Sequence, residues 1–282
     1  MLVGYCREIE IRKARGAPIT VVRLPFSIIE NQGMKVYTPP SLSEVPQPDK
    51  DPIFKSVCRG CEWLSHIRAG QFMYITYPLE LFPGDYLLIT IANAILSGGK
   101  LLIVSYEYPP EYIWFMVAET IRAQQGIELP TDEIGESLKN YVSIEAYNPA
   151  LYSSNDLYLL TLEAIARIRP RIVAILGNPE VVWGESSIEM YSDLIFNLIL
   201  HFRKLRLVTI LISGYLEKSY SIFSRIADLI IRAKTTTSSN ESTMLYQIVR
   251  KGGRPTIVED ESFAQCVKEA AEMLVKMIHR QL

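Results

Sequence analysis

The 282-residue chain predicts an α/β fold, a three-layer α/β/α arrangement with a mainly parallel central sheet, an N-terminal β arm and a C-terminal helix. Three observations carry that expectation. From about Phe54 onward, short apolar runs alternate with segments of helical periodicity, the rhythm of a parallel sheet with helices on its faces. Ile172–Leu176 is a continuous apolar run, as expected for a strand in the middle of a sheet, and Leu207–Ile212 reads as the next buried strand. The stretch from Gly70 to Glu107 reads as one complete strand–helix–strand unit: strand Phe72–Thr76, an eight-residue connection Tyr77–Gly84, helix Tyr86–Leu96 closed by Gly98 and Gly99, and strand Leu101–Ser105.

The other elements follow in order. Residues 1–53 form the arm, with short strands at Glu8–Lys13 and Ile19–Leu24, and then a proline-rich linker over Tyr37–Pro52. The core domain spans 54–258. After the first unit, Pro110–Gln124 is a helix with an apolar side made by Ile113, Phe115, Met116, Val117 and Ile121, and Leu138–Tyr147 is a short strand. Asn155 caps a helix over Asp156–Ile168 that stops before Pro170. Ser187–Lys204 is a helix ending in Arg203 and Lys204, cations suited to the negative helix terminus. Tyr220–Ile226 reads as a helix, Asp228–Ala233 and Met244–Arg250 as strands, and the polar Thr235–Thr243 between them as a mobile tip. Residues 259–282 carry the C-terminal helix, Ser262–His279. Its sequence leaves open whether it packs on its own sheet or on another subunit.

Composition bounds function loosely. A net charge of −2 and a pI near 6 argue against a basic nucleic-acid surface over the whole domain, while a local basic strip stays open. No apolar run reaches the roughly 18 residues of a membrane span, and Met1–Arg7 lacks a signal-peptide core, so the expected setting is cytoplasmic, without a membrane. Cys58 and Cys61 have the spacing of half a zinc site or a redox pair. No second pair stands at ribbon spacing, and the three histidines are scattered, so no metal is expected.

The order of elements and several local phrases resemble the RecA-like P-loop ATPases, and among them the KaiC-type branch common in archaea, over roughly Phe54–Thr256. The phrases are Gly60–His66 and Gly70–Thr76, Ser105-Tyr106-Glu107-Tyr108-Pro109-Pro110-Glu111, Ile226-Ala227-Asp228, and Ile248-Val249-Arg250-Lys251-Gly252-Gly253. That resemblance implies a phosphate-binding loop at Tyr77–Gly84, but the loop reads Tyr77, Pro78, Leu79, Glu80, Leu81, Phe82, Pro83, Gly84. Tyr77, Glu80 and Phe82 replace glycines, Pro83 stands where lysine belongs, and Gly84 has no hydroxyl for magnesium. Glu80 about 5 Å from a phosphate charge would cost roughly 3 kcal/mol at an effective dielectric near 20. Tyr77 and Phe82 are expected to fill the cradle, and Pro83 with Asp85 to stabilise the helix start. The strand Ile172–Leu176 is followed by Gly177-Asn178 where the family keeps a magnesium-holding aspartate.

The resemblance therefore implies a pseudo-ATPase with no cofactor, acting as a protein-binding or regulatory subunit, by self-association or beside an active relative. The RecA-like subunits of the Elongator complex offer an analogy. Two alternatives remain: a RecA or RadA paralogue assisting DNA recombination or repair, and an ATPase with an atypical site. Glu107 matches the family's catalytic glutamate, although a polar residue at a strand edge is the favoured reading. Arg250 matches a basic residue that reaches a neighbour's nucleotide, and Arg250, Lys251 and Arg254 form a basic turn able to touch phosphates; an ordinary surface turn is the simpler account. Trp183, in Asn178–Ser187, is read equally as an interaction loop or as core. Tyr106, Tyr108, Tyr112, Trp114 and Phe115 are read as packing.

Overall fold

Side chains along a strand point alternately to opposite faces, so a strand buried on both faces is apolar along most of its length and not at alternate positions only. In the computed structural model, which describes residues 8–11, 22–29, 33–36, 46–48, 55–58, 67–149, 151–152, 154–177, 188–238 and 241–281, the central strands are buried at every position and mostly apolar, with Thr76, Ser105, Thr209 and Ser213 as the buried polar residues among them. Two sheets are present among the described residues. The arm contributes β1 (Glu8–Ile11), β2 (Val22–Ile29) and β3 (Gly33–Val36), antiparallel in that order. The expected strand at Ile19–Leu24 is thus displaced toward Ile29, and β3 adds a strand that the sequence reading lacks.

The large sheet contains β4 (Phe72–Tyr77), β5 (Leu101–Ser105), β6 (Val142–Ala146), β7 (Ile172–Leu176), β8 (Val208–Gly214), β9 (Leu229–Ser238), β10 (Glu241–Arg250) and β11 (Thr256–Glu259). Their order across the sheet is β11-β10-β9-β4-β8-β7-β5-β6. From β9 to β6 all neighbours are parallel, and β10 and β11 complete the edge antiparallel.

Seven helices accompany this sheet among the described residues: α1 (Gly84–Leu96), α2 (Pro110–Gln125), α3 (Thr131–Leu138), α4 (Ser154–Ile168), α5 (Ile188–Lys204), α6 (Glu217–Ile226) and α7 (Asp260–Gln281). Met73, Ile75, Ile103, Ala174 and Ile210 join one core with α1, α2, α3 and α7. Phe72, Tyr74, Val104, Val173 and Leu211 join a second core with α4, α5 and α6. The result is three layers, with helices on both faces of the sheet.

Helix α1 is buried nearly all round, from Gly84 and Tyr86 to Ala94, because α2, α7 and the sheet enclose it. Helix α2 begins with Pro110 at its first position and ends at Gly126, left-handed at φ 67°, whose N–H donates to the Arg122 carbonyl at 2.8 Å. The C-terminal helix packs on its own domain. In α7, Phe263, Cys266, Val267, Ala270, Ala271, Leu274 and Ile278 form the buried stripe against α1, α2 and α3. Cys266 is disulfide-bonded to Cys58, with Cα atoms 4.6 Å apart, so Cys58 pairs across the fold; Cys61 lies outside the described residues.

Several expectations need correction. Asn155 lies inside α4, which starts at Ser154, and does not cap it, and Phe115 of α2 is 45% exposed and not part of the buried side. Leu138 closes α3, and the strand expected from Leu138 starts only at Val142. Thr235–Thr243 is largely β-structure: β9 continues to Ser238, β10 starts at Glu241, and Thr236 pairs with Thr243, the hydroxyls 3.1 Å apart.

Candidate functional site

In an open parallel sheet a ligand crevice forms at the carboxyl ends of two neighbouring strands whose following helices depart to opposite faces. Strands β4 and β8 meet that condition: α1 follows β4 on one face and α6 follows β8 on the other. The connection Tyr77–Gly84 sits at that edge and is closed on itself. The Leu81 N–H donates to the Pro78 carbonyl at 3.0 Å, and the Tyr215 N–H donates to the Tyr77 carbonyl at 2.7 Å. Leu79 lies over Gly214 so closely that a side-chain carbon at position 214 would collide with it. The tight contact needs glycine there.

The residues of this loop separate by role. Tyr77 is buried against α1, stacked on Tyr86 with ring centroids 5.6 Å apart. Phe82, expected to fill a cradle, is instead 66% exposed, and Leu79 and Leu81 are exposed beside it. Glu80 is exposed, whereas Pro83 and Gly84 are buried, Gly84 lying against Thr120 of α2. Pro83 occupies the cap position, not the first helical one, and no side chain caps α1. The turn is therefore closed by its backbone, and the expected internal stabilisation of the helix start is only partly present.

Asp85 shares that helix start. Its carboxyl is pushed above the ordinary range, first by burial and then by the charge of Asp260 at the start of α7. Around it Tyr86 and Phe263 pack with centroids 5.4 Å apart, and Tyr246 stacks on Phe263 at 4.0 Å.

Glu107 stands at the same carboxyl edge, exposed, accepting a hydrogen bond from the Tyr108 hydroxyl at 3.0 Å. Tyr108 stacks on Tyr112, which contacts the half-exposed Phe115. Tyr106 is buried, and Trp114 is partly buried on the core. Burial raises the Tyr77 phenol, with Tyr108 and Glu107 adding to the effect. Among the described residues no cluster of three or more His, Cys, Asp or Glu could hold a metal ion.

Arg250, Lys251 and Arg254 lie at the opposite edge. Arg250 pairs with Leu229 at the start of β9, so the basic turn is at the amino end of the parallel strands and not beside Tyr77–Gly84. The Lys251 N–H donates to the Asp228 carbonyl at 2.9 Å, and Lys251 and Arg254 are exposed. Trp183 and Asn178 lie outside the described residues.

A constellation that sequence reasoning missed lies on the α6 side of the carboxyl edge. The Arg232 guanidinium of β9 sits 4.1 Å from the Tyr215 ring centroid and 4.6 Å from that of Tyr220. Tyr220 contacts Tyr215 and Tyr74, and the Ser213 hydroxyl is 3.5 Å from the Tyr74 hydroxyl. Thr76 is paired in register with both Ser213 and Arg232. The one sequence signal is an arginine interrupting the apolar run Leu229–Ala233.

The fold and this edge define an open-sheet α/β protein with helices on both faces. No protein-family model matches the chain, and no curated protein matches it in sequence. No helix among the described residues is long and apolar enough to cross a membrane.

Proposed function

We propose that the chain is a RecA-like domain of the KaiC type whose nucleotide site has been retired, and that it works as a protein-binding or regulatory subunit. The observation that carries this reading is the loop Tyr77–Gly84. Its backbone is folded into a closed turn with Leu79 packed on Gly214, and its exposed residues are Leu79, Glu80, Leu81 and Phe82. A phosphate cradle needs converging N–H groups and a cation. This loop offers a carboxylate and apolar side chains, a surface better suited to another protein than to a nucleotide. The basic turn at Arg250 lies at the opposite edge, so any contact it made with such a loop would be with that of another copy or relative.

Calorimetric titration with ATP and magnesium, paired with thermal-shift measurement, tests the retired site. The expected result is no saturable binding at millimolar ligand. Stabilisation saturating below millimolar concentration would favour the atypical ATPase instead. In parallel, Phe82→Asp should leave the melting temperature nearly unchanged, because the side chain is exposed, while weakening self-association or partner retention in sedimentation velocity.

A further inference from the structure

The Arg232 constellation has the makings of a built site. The guanidinium is half-buried and, among the described residues, is paired with no carboxylate; its Nε is buried without a hydrogen-bond partner. Two further side-chain hydroxyls share that condition among the described residues, one on the neighbouring strand and one next to Tyr220 in the chain. The Thr76 hydroxyl is fully buried and unpartnered, one strand away in direct register, and the Ser219 hydroxyl in the first turn of α6 is 2% exposed and also unpartnered. Folding normally removes such groups or satisfies them.

The tyrosines explain how the arginine is held. The guanidinium carbon lies over both the Tyr215 and the Tyr220 ring while its Nε–H is left without a partner among the described residues, and the N–H edge of a guanidinium is the part that grips a carboxylate or phosphate in bidentate fashion. Access is open. Strand β9 pairs with β4 only as far as Arg232, then runs on to Ser238 paired with β10 alone, past the point where β4 turns away. By strand alternation Lys234, exposed on that extension, faces the same side as Arg232 and adds a second positive charge on that face.

We propose that this α6-side edge binds the oxyanion group of a small ligand, a phosphate or carboxylate, with Arg232 as the gripping cation and the Thr76 hydroxyl as a second donor. The site lies on the face of the sheet opposite α1, and it is joined to the Tyr77–Gly84 loop through the Tyr215 N–H, which donates to the Tyr77 carbonyl.

The test is titration of the full chain with orthophosphate and, separately, with succinate, at constant ionic strength, followed by thermal shift and by the arginine Nε–H resonances in NMR. At least one anion should give saturable stabilisation and move the resonance that disappears in Arg232→Gln. Arg232→Gln should abolish the response, and Thr76→Val, which keeps the shape and deletes the donor, should weaken binding about tenfold. A response to neither anion, a response that survives Arg232→Gln, or wild-type affinity in Thr76→Val would overturn the proposal. Should Arg232→Gln fail to fold, the Thr76→Val affinity and the wild-type Nε–H shift still decide it. A response to ATP with magnesium that persists in Arg232→Gln would bear on the α1-side loop instead.

Discussion

Asp228 holds together four segments that are far apart in the chain. Its carboxylate accepts from the Phe72 N–H at 2.9 Å and from the Arg203 guanidinium at 2.6 Å, while its own N–H donates to the Phe72 carbonyl and its carbonyl receives the Lys251 N–H. Arg203 also donates from Nε to the Gly70 carbonyl at 2.9 Å. Both charged side chains are only about a tenth exposed, at 10% and 11%. The pair thus locks α5, the start of β4, the start of β9 and the basic turn at the amino edge. Deleting one partner of such a pair strands the other charge and costs about 3–5 kcal/mol. Asp228→Ala should therefore lower urea stability by that order, and a loss under about 1 kcal/mol would show that the lock is ornamental. Read from sequence, Arg203 suits a helix terminus and Asp228 a strand start. Their partnership across 25 residues of chain is a tertiary fact that neither local pattern contains.

At the scale of elements, α1 carries a cost at its first turn. Asp85 there has its carboxyl pushed above the ordinary range by burial and by Asp260. The folded state consequently holds this proton more tightly than the unfolded chain does, and stability falls as pH rises past the unfolded value of about 3.9 and stays lower once the folded carboxyl has ionised. Asp85→Asn should raise the melting temperature at pH 7 and lose that advantage at pH 3, where the acid is protonated in both states. A lower melting temperature at pH 7 would mean that attraction to the helix terminus outweighs burial. The central strands and α1, α2, α4 and α5 were legible because apolar runs and helical periodicity mark them directly. What escaped are elements whose stability comes from pairing or close approach. Strand β11 is largely exposed, and the Thr235–Ser238 end of β9 reads as polar loop although it is paired along its length with β10. Helix α3 contains Gly135, which reads as a breaker but lets the helix approach Trp114 of α2 closely. The arginine site escaped for the same kind of reason, since Tyr215, just after β8, and Tyr220 of α6 meet Arg232 only in the folded sheet.

For the whole molecule, the Cys58–Cys266 bond joins residues 208 apart in sequence, tying the segment before β4 to the helix that closes the α1 layer. Both sulfurs lie in the core, at 6% and 1% exposure, and Asn93 of α1 holds the same segment by accepting the Val57 N–H at 2.7 Å. Cross-linking a loop this long restricts the unfolded chain most strongly, by about 5 kcal/mol in the chain-entropy model. Disulfides are retained in oxidising compartments and in some hyperthermophile cytosols, and in an ordinary reducing cytosol the two would stand as a packed thiol pair. The bond is directly testable because Arg59 separates Cys58 from Cys61. Trypsin under non-reducing conditions should yield peptide 56–59 linked to peptide 252–268, and reduction should lower the unfolding midpoint. Recovery of peptide 56–59 linked to peptide 60–68 would instead establish the Cys58–Cys61 pair and leave α7 held by packing alone. In that case reduction would barely change stability, because the loop closed by two neighbouring cysteines is too short to restrict the unfolded chain.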